Sequence, residues 1–241
     1  MPFISSASGR YSYGRPPKAS VTQAPPSGAG GSMRFTSSST SGLTIPNDAD
    51  FQMGTGDFTI EWFQYQLSGS GTNQRIFSIG TYSTASIAVS QEGSDSSKAF
   101  YAWISGANLI ASGQNFLNTW VHIAICRSGT SLRVFRNGTQ LGSTITNSTN
   151  FNNTTNTLKI GNESTTSAGG AFNGYITNFH WVKGTALYTA NFSRPTAPIT
   201  PVANTRLLLL ATASGTAFTD SSGKGKVATP VGVAWNSLTP F

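Results

Sequence analysis

The sequence predicts an all-β protein, an antiparallel two-sheet jelly-roll sandwich with an extended N-terminal arm. Three observations lead there. From Met33 onward, short runs of alternating apolar residues are separated by clusters of Gly, Asn, Ser and Thr at intervals of roughly 10–20 residues, as in strands joined by turns. No stretch shows the apolar period of an amphipathic helix. At least ten predicted strands, with no helices to cover a parallel sheet, leave two stacked antiparallel sheets as the simplest arrangement. The composition allows it: 37% of the 241 residues are hydrophobic and 11% aromatic, ample for a core. Only 10% are charged, against roughly 25% in an average globular domain.

Residues 1–32 form the arm. They hold five prolines and no acid, with Arg10, Arg15 and Lys18 as cations, and cannot build a core. The pairs Pro16-Pro17 and Pro25-Pro26 favour extended conformations, and the glycines from Gly28 to Gly31 make a joint. A disordered tail and a docking arm both fit. Phe3, Ile4, Arg10, Tyr11, Tyr13 and Arg15 favour docking, because aromatic and Arg anchors are enriched at interfaces.

The domain at 33–241 then reads strand by strand. After 33–36 comes the run from Asp57 to Tyr65, in which Phe58, Ile60 and Trp62 share a core face while Thr59, Glu61, Phe63 and Tyr65 share the other. Strands follow at 75–80, 85–90 and 98–105. The run Trp120 to Arg127 is apolar at nearly every position and is expected to be a central strand buried on both faces. Leu132 to Arg136 is closed by Asn137-Gly138, the strongest two-residue hairpin signal in the chain. The Ser/Thr/Asn tract 143–157 is placed as strand and loop, and further strands are expected at 157–161, 171–182, 206–211 and 231–235.

Several function classes are poorly supported. A single cysteine, Cys126, excludes an intrachain disulfide framework and multi-cysteine zinc sites, and on its apolar strand it reads as inert core. His122 and His180 lie in apolar aromatic stretches, where a core or sheet-face role outweighs catalysis. The net charge of +7 reflects scarce acids and scattered cations, so no nucleic-acid surface is expected. No phosphate-cradling or dinucleotide loop occurs. Asn-x-Ser/Thr sequons are about as frequent as chance gives at this composition. The longest aliphatic run, Leu207 to Ala211, is far short of the ~20 residues that cross a bilayer. Met1-Pro2-Phe3-Ile4 lacks basic and apolar export regions, so synthesis and use without Sec-type export is expected.

Five segments in order, Asp57 to Trp62, Thr119 to Ala124 with Arg127, Val134 to Gly138, Leu158 to Gly161 and Phe172 to Ile176, resemble successive strands of concanavalin A-like, laminin-G-like domains over roughly residues 33–220. The segment Asn178 to Tyr188 with Asn191-Phe192, Pro195 and Leu207 to Leu210 is similar to a subtype from structural proteins of tailed, cyanophage-like bacteriophages, as are Asp220 to Gly223 and Trp235 to Phe241. The resemblance implies a sandwich fold and, for relatives that are glucanases, a Glu-x-Asp-x-x-Glu strand. This chain lacks that triplet. Its only two acids in one predicted strand, Asp57 and Glu61, would stand ~13 Å apart, too far for either glycosidase mechanism. Relatives that bind calcium suggest Asp48 and Asp50, or Glu92 and Asp95, but both segments also read as ordinary turns, and no metal or other cofactor is assigned.

Carbohydrate binding in relatives uses an exposed aromatic with Asn or Asp beside it. Tyr82, Tyr101, Trp103 and Asn108 are the candidates, whereas Trp62, Trp120 and Trp181 fit buried strands. The expectation is a non-enzymatic virion structural protein, a capsid decoration or tail or fibre component on the virion surface. It would be anchored by its arm to other virion proteins, form a homo-oligomer and possess a site for host-surface glycans. A free carbohydrate-binding lectin or adhesion module is the rival reading, and a divergent glucanase a weaker third.

Overall fold

In the computed structural model, residues 30–67, 74–81, 86–91, 116–163, 170–211 and 218–241 are described in full, and Phe100–Ile104 and Ala107–Ser112 by backbone path. Two antiparallel sheets face one another, as the alternation of apolar residues requires. The strands in chain order are β1 (Ser32–Thr36), β2 (Gly42–Ile45), β3 (Phe58–Gln66), β4 (Gln74–Ile79), β5 (Ile87–Gln91), β6 (Phe100–Ile104), β7 (Ala107–Ser112) and β8 (Trp120–Ser128). They continue with β9 (Ser131–Arg136), β10 (Thr139–Thr146), β11 (Leu158–Ile160), β12 (Asn173–Lys183), β13 (Thr205–Leu209), β14 (Phe218–Thr219), β15 (Val227–Val231) and β16 (Ala234–Asn236). The first sheet runs β10-β9-β8-β3-β12-β1-β16, with β13 also on β12, and the second runs β14-β15-β2-β11-β4-β5-β6-β7. No helix among the described residues is long and apolar enough to cross a membrane.

The alternation in β3 places Phe58, Ile60 and Trp62 between the sheets, where they meet Phe77 and Ile79 of β4, Ile123 and Ile125 of β8, and Phe179 and Trp181 of β12. Trp62 sits edge-on to Phe77 at 5.5 Å, a geometry that aligns the positive ring edge with the negative face. β8 is buried on both faces, as its nearly continuous apolar sequence predicts. Its outer face is covered because residues 184–204, which form no strand, lie across the first sheet. Two small apolar clusters form beneath this strap, one from Phe63, Ile199, Leu208 and Leu210, the other from Ala124, Cys126 and Phe135 with Tyr188 and Phe192.

Two local devices fix the strap. Asn137 and Gly138 both take positive φ, 48° and 83°, so the β9–β10 turn is the one the Asn-Gly pair prefers. The Gly138 carbonyl accepts from the Phe192 amide at 2.9 Å, and a Cβ on Gly138 would strike the Phe192 carbonyl. In β12, the pairing with β3 slips between Thr177 and His180. The extra residue, with Asn178 at φ 54°, resets the alternation so that Phe179 and Trp181 enter the core while His180 turns to the outer face. The Asn178 side-chain oxygen accepts from the strap at Ile199 N, 2.7 Å.

One end of the sandwich is closed by Arg127, which is fully buried. Its guanidinium donates to the carbonyls of Gly54, Gly56 and Thr149 at 2.6–2.9 Å and stacks on Phe58 and Phe151, 5.2 and 4.6 Å from the ring centres. Burial lowers its pKa from the ordinary arginine value. Hydrogen bonding to carbonyls instead of a carboxylate makes this a charged plug for loop ends.

The structure adds strands that the alternation does not reveal. β2 has four residues, β7 is an added strand paired with β6, and Thr139–Thr146 is the strand of the polar tract, with 147–157 as loop. The single strand expected at 231–235 is instead the end of β15, a turn at Gly232 (φ 59°) and β16.

Candidate functional site

Phe3, Ile4, Arg10, Tyr11, Tyr13, Arg15 and Tyr82 lie outside the described residues. For the other sugar-site candidates the backbone gives register alone: Tyr101 pairs with Ser90 and Ala111, and Trp103 with Ala88 and Asn108. Trp103 and Asn108 are thus cross-strand partners in the hairpin at one edge of the second sheet. Beside Ser90 lies a buried ion pair, with Arg75 Nε 3.3 Å from Glu163 Oε2 and Arg75 Nη1 donating to Ser90 Oγ at 2.5 Å.

Glu61 is buried to 1% exposure on the outer face of the first sheet, under the strap. Its Oε1 accepts from His180 Nδ1 at 2.7 Å, and its Oε2 from His122 Nε2 at 3.0 Å and from the Tyr188 hydroxyl at 2.9 Å. The chain of bonds continues outward. Thr205 Oγ1 accepts from the Val202 amide at 2.9 Å and lies 2.8 Å from His180 Nε2, so the network runs from the strap through Thr205 and His180 to Glu61. Burial opposes ionisation of Glu61, but the hydrogen bonds from His122 and His180 override it and hold the carboxyl at about 2. Burial, reinforced by the charge on Glu61, pushes the Tyr188 phenol above its usual range. Burial also pushes the Cys126 thiol up to about 12, which makes it unreactive as a nucleophile. A cavity of about 250 Å³ lies here between Glu61, His180 and strap residues including Tyr188, Pro198 and Val202. The Glu61 carboxylate, the His180 ring and the Tyr188 hydroxyl are bonded to one another or to Thr205, so this cluster latches the strap to the sheet.

The candidate calcium ligands at Asp48 and Asp50 hold a side-chain cation. Lys226 Nζ stands 2.6 Å from Asp48 Oδ2 and 2.8 Å from Asp50 Oδ2, while Asp48 Oδ1 caps the turn by accepting from the Asp50 amide. The bond from Lys226 holds the Asp48 carboxyl below its usual range. Glu92 and Asp95 lie outside the described residues, and no group of three or more potential metal ligands occurs among those described.

A further set of residues faces outward. Strand register carries Trp120 of β8 to Tyr65 of β3, then to Tyr175 of β12 and Arg34 of β1. The four side chains form one row across four strands on the outer face of the first sheet, each only partly buried. The ring centroids of Trp120 and Tyr65 are 5.7 Å apart, and those of Tyr65 and Tyr175 5.9 Å, both edge-to-face. The Arg34 guanidinium lies 5.2 Å from the Tyr175 ring centre. The sequence places Trp120 in a buried strand, and β8 is indeed buried from Val121 to Arg127, but Trp120 is its first residue and only partly buried, packed against the cluster of Phe63, Ile199, Leu208 and Leu210. The signal that was available is parity: Tyr65, Trp120 and Tyr175 each alternate with a core residue, Gln64, Val121 and Ile176.

The family model for the concanavalin A-like lectin/glucanases superfamily, of laminin G type 3, matches residues 37–188, more than half of the chain. The chain belongs to the concanavalin A-like lectin/glucanase superfamily. No curated protein matches it. Among solved structures, it superposes on a protein from Bacteroides ovatus ATCC 8483 described as carbohydrate binding, with TM-score 0.67 and 12% identity over 88% of this chain and 60% of that one. The heptameric SAP-like pentraxin of Limulus polyphemus matches with TM-score 0.51 and 14% identity, over 86% and 95% of the two chains. The extracellular region of zebrafish Gpr126/Adgrg6 matches with TM-score 0.54 and 14% identity, over 87% and 26%. At such identities the likeness is one of fold, and the chain spans about 60% of the B. ovatus protein. Within this concanavalin A-like sandwich, the aromatic row and the strap are both built on the first sheet, the row at the β3 end where Tyr65 pairs with Trp120 and the strap beside Glu61.

Proposed function

We propose that this chain is a non-catalytic carbohydrate-binding module whose site is the row Trp120, Tyr65 and Tyr175. The row is the observation that carries the reading. Aromatic rings present flat apolar faces to the C–H face of a pyranose, and their polar edges tolerate water around it. Spacing by the strand pitch of about 4.8 Å lets a linear glycan lie across the strands, meeting ring faces and ring edges in alternation. Membership of a lectin and glucanase superfamily and the likeness to a carbohydrate-binding fold support the same reading. Hydrolysis has less to stand on. A glycosidase acid needs a raised pKa and a second carboxylate near it, whereas Glu61 is depressed to about 2 and sealed by three donors.

Binding to immobilised barley β-glucan, arabinan and polygalacturonate, measured by affinity electrophoresis, tests this. Trp120→Ala should weaken binding about tenfold or more, the loss expected of a central aromatic contact. Failure of the wild-type chain to bind any of these, or full binding by the Trp120 variant, would refute the assignment.

A second, finer reading concerns the setting: display on a virion surface as a homo-oligomer, with residues 1–32 docking on neighbouring capsid or tail subunits. It is supported by the resemblance of residues 178–192, which supply the end of β12 and the start of the strap, to phage structural proteins. Deleting residues 1–32 should leave the sandwich folded but remove it from assembled particles, and full incorporation of the truncated chain would sink it. A free carbohydrate-binding module needs only the aromatic row.

A further inference from the structure

We infer that the aromatic row selects an acidic glycan, with Arg34 recognising a carboxylate or sulfate on the sugar. This rests on the proposal that the row binds carbohydrate. Arg34 follows Tyr175 in register and is followed by Ala234 of β16, so it ends the row of large side chains. Its guanidinium is positioned by the Tyr175 ring at 5.2 Å and by one long bond from Nη1 to the Gly174 carbonyl, 3.4 Å. The remaining N–H groups of the fork have no protein acceptor among the described residues, and no described carboxylate pairs with it.

Several other described cations are already occupied, whereas Arg194 shares the Arg34 pattern, with one 3.3 Å bond to the Pro240 carbonyl and the Phe63 ring at 5.3 Å. Arg75 is paired with Glu163, Arg206 with Asp50, Lys226 with Asp48 and Asp50, and Arg127 is filled by loop carbonyls. The net charge of +7 and the scarcity of acids leave little to neutralise it. A planar guanidinium with free paired donors matches a carboxylate or sulfate in a bidentate manner, and stacking on a ring fixes its direction. Set at the end of a row that takes pyranose faces, this is the arrangement for a linear polymer carrying an acidic group on one unit. Aromatic rings with a cation also suit single-stranded nucleic acid, which stacks its bases on such platforms. The match to a lectin and glucanase superfamily favours a glycan over nucleic acid, which stands as an outcome of the test.

The test uses the full chain, Arg34→Met, which keeps the stem and removes the charge, and Trp120→Ala. Each is titrated with polygalacturonate, dextran sulfate, neutral barley β-glucan and an oligo(dT). The wild-type chain should bind at least one anionic polymer about tenfold more tightly than the β-glucan, with affinity falling as salt rises. Arg34→Met should lose that preference together with the salt dependence that accompanies it. Comparing polygalacturonate with dextran sulfate identifies the acidic group. If the wild-type chain binds β-glucan through Trp120 with no anionic preference, or Arg34→Met keeps the preference, the inference fails while the carbohydrate reading stands. If no polysaccharide binds, both fail, and Trp120-dependent binding of oligo(dT) alone would replace them with a nucleic-acid surface.

Discussion

Replacing Glu61 by Gln keeps shape and removes charge, so it isolates what the buried carboxylate does for the strap. Three donors converge on it, from His122, His180 and Tyr188, at 2.7–3.0 Å. A hydrogen bond to a charged group is worth about 1.5–3 kcal/mol and a neutral one about 0.5–1.5, so neutralising the acceptor of three bonds costs about 3 kcal/mol. The desolvation relieved by losing a buried charge works in the opposite direction and in some proteins wins. Here the sign is decided by the carboxyl itself. Its pKa is lowered from 4.5 to about 2, which means that the surroundings favour the ion over the acid despite burial. At about 1.36 kcal/mol per pKa unit the same shift also corresponds to about 3 kcal/mol. Urea unfolding followed by tryptophan fluorescence at pH 7 is the assay, and the melting temperature should fall by about 6–12 °C for a chain of this size. Cleavage of the strap at 184–204 by a protease should accelerate with it. A Glu61→Gln variant as stable as the wild type would show that the network is neutral packing and that the latch argument is wrong.

Other consequences can be checked independently. Because the folded carboxyl lies near 2, the stability it contributes is fully present above pH 4.5 and is lost progressively as the pH falls from there through about 2. The Glu61 side-chain carboxyl ¹³C resonance should accordingly stay fixed between pH 7 and pH 4, and a midpoint near 4.5 would contradict the geometry. Cys126, with its thiol raised to about 12, should resist iodoacetamide at pH 8.5 until denaturant is added; rapid alkylation of the native chain would place it elsewhere. Arg127→Met should cost about 3 kcal/mol or more in a urea titration, because three loop carbonyls lose their donor. A loss below 1 kcal/mol would mean that water replaces the guanidinium. Gly161→Ala should be more damaging than Gly129→Ala in thermal unfolding. Both have positive φ, but a Cβ at 161 strikes the Phe35 ring while one at 129 meets open space.

The sandwich is readable in the sequence wherever a strand's own residues declare its two faces. The alternation Phe58, Ile60, Trp62 and the run from Val121 to Cys126, apolar but for His122, depend only on local sequence, as does the turn at Asn137-Gly138. What remains hidden depends on pairing. Glu61, His122, His180 and Tyr188 meet from positions up to 127 residues apart, and His180 reaches the outer face only through a bulge at Asn178 that no alternation rule announces. The aromatic row is hidden for a similar reason. Tyr65, Trp120 and Tyr175 are single residues at strand ends until register aligns them, and Trp120, read beside its apolar neighbours, looks like core. The lysine clamp on Asp48 and Asp50 brings in a cation from 176 residues later than Asp50, so the two aspartates alone could still suggest a metal.

The pairing of β1 with β16 sets Ser32 opposite Asn236 and Met33 opposite Trp235. Whatever polypeptide precedes the sandwich therefore departs from the same edge as whatever follows it. A domain with this layout can be spliced into a loop of a host protein, or circularly permuted with new ends at an exposed turn such as Ser128–Gly129, without stretching across the molecule. Labels fused to both ends would sit side by side, so energy transfer between them would report on the clasp of β1 and β16 from outside the fold.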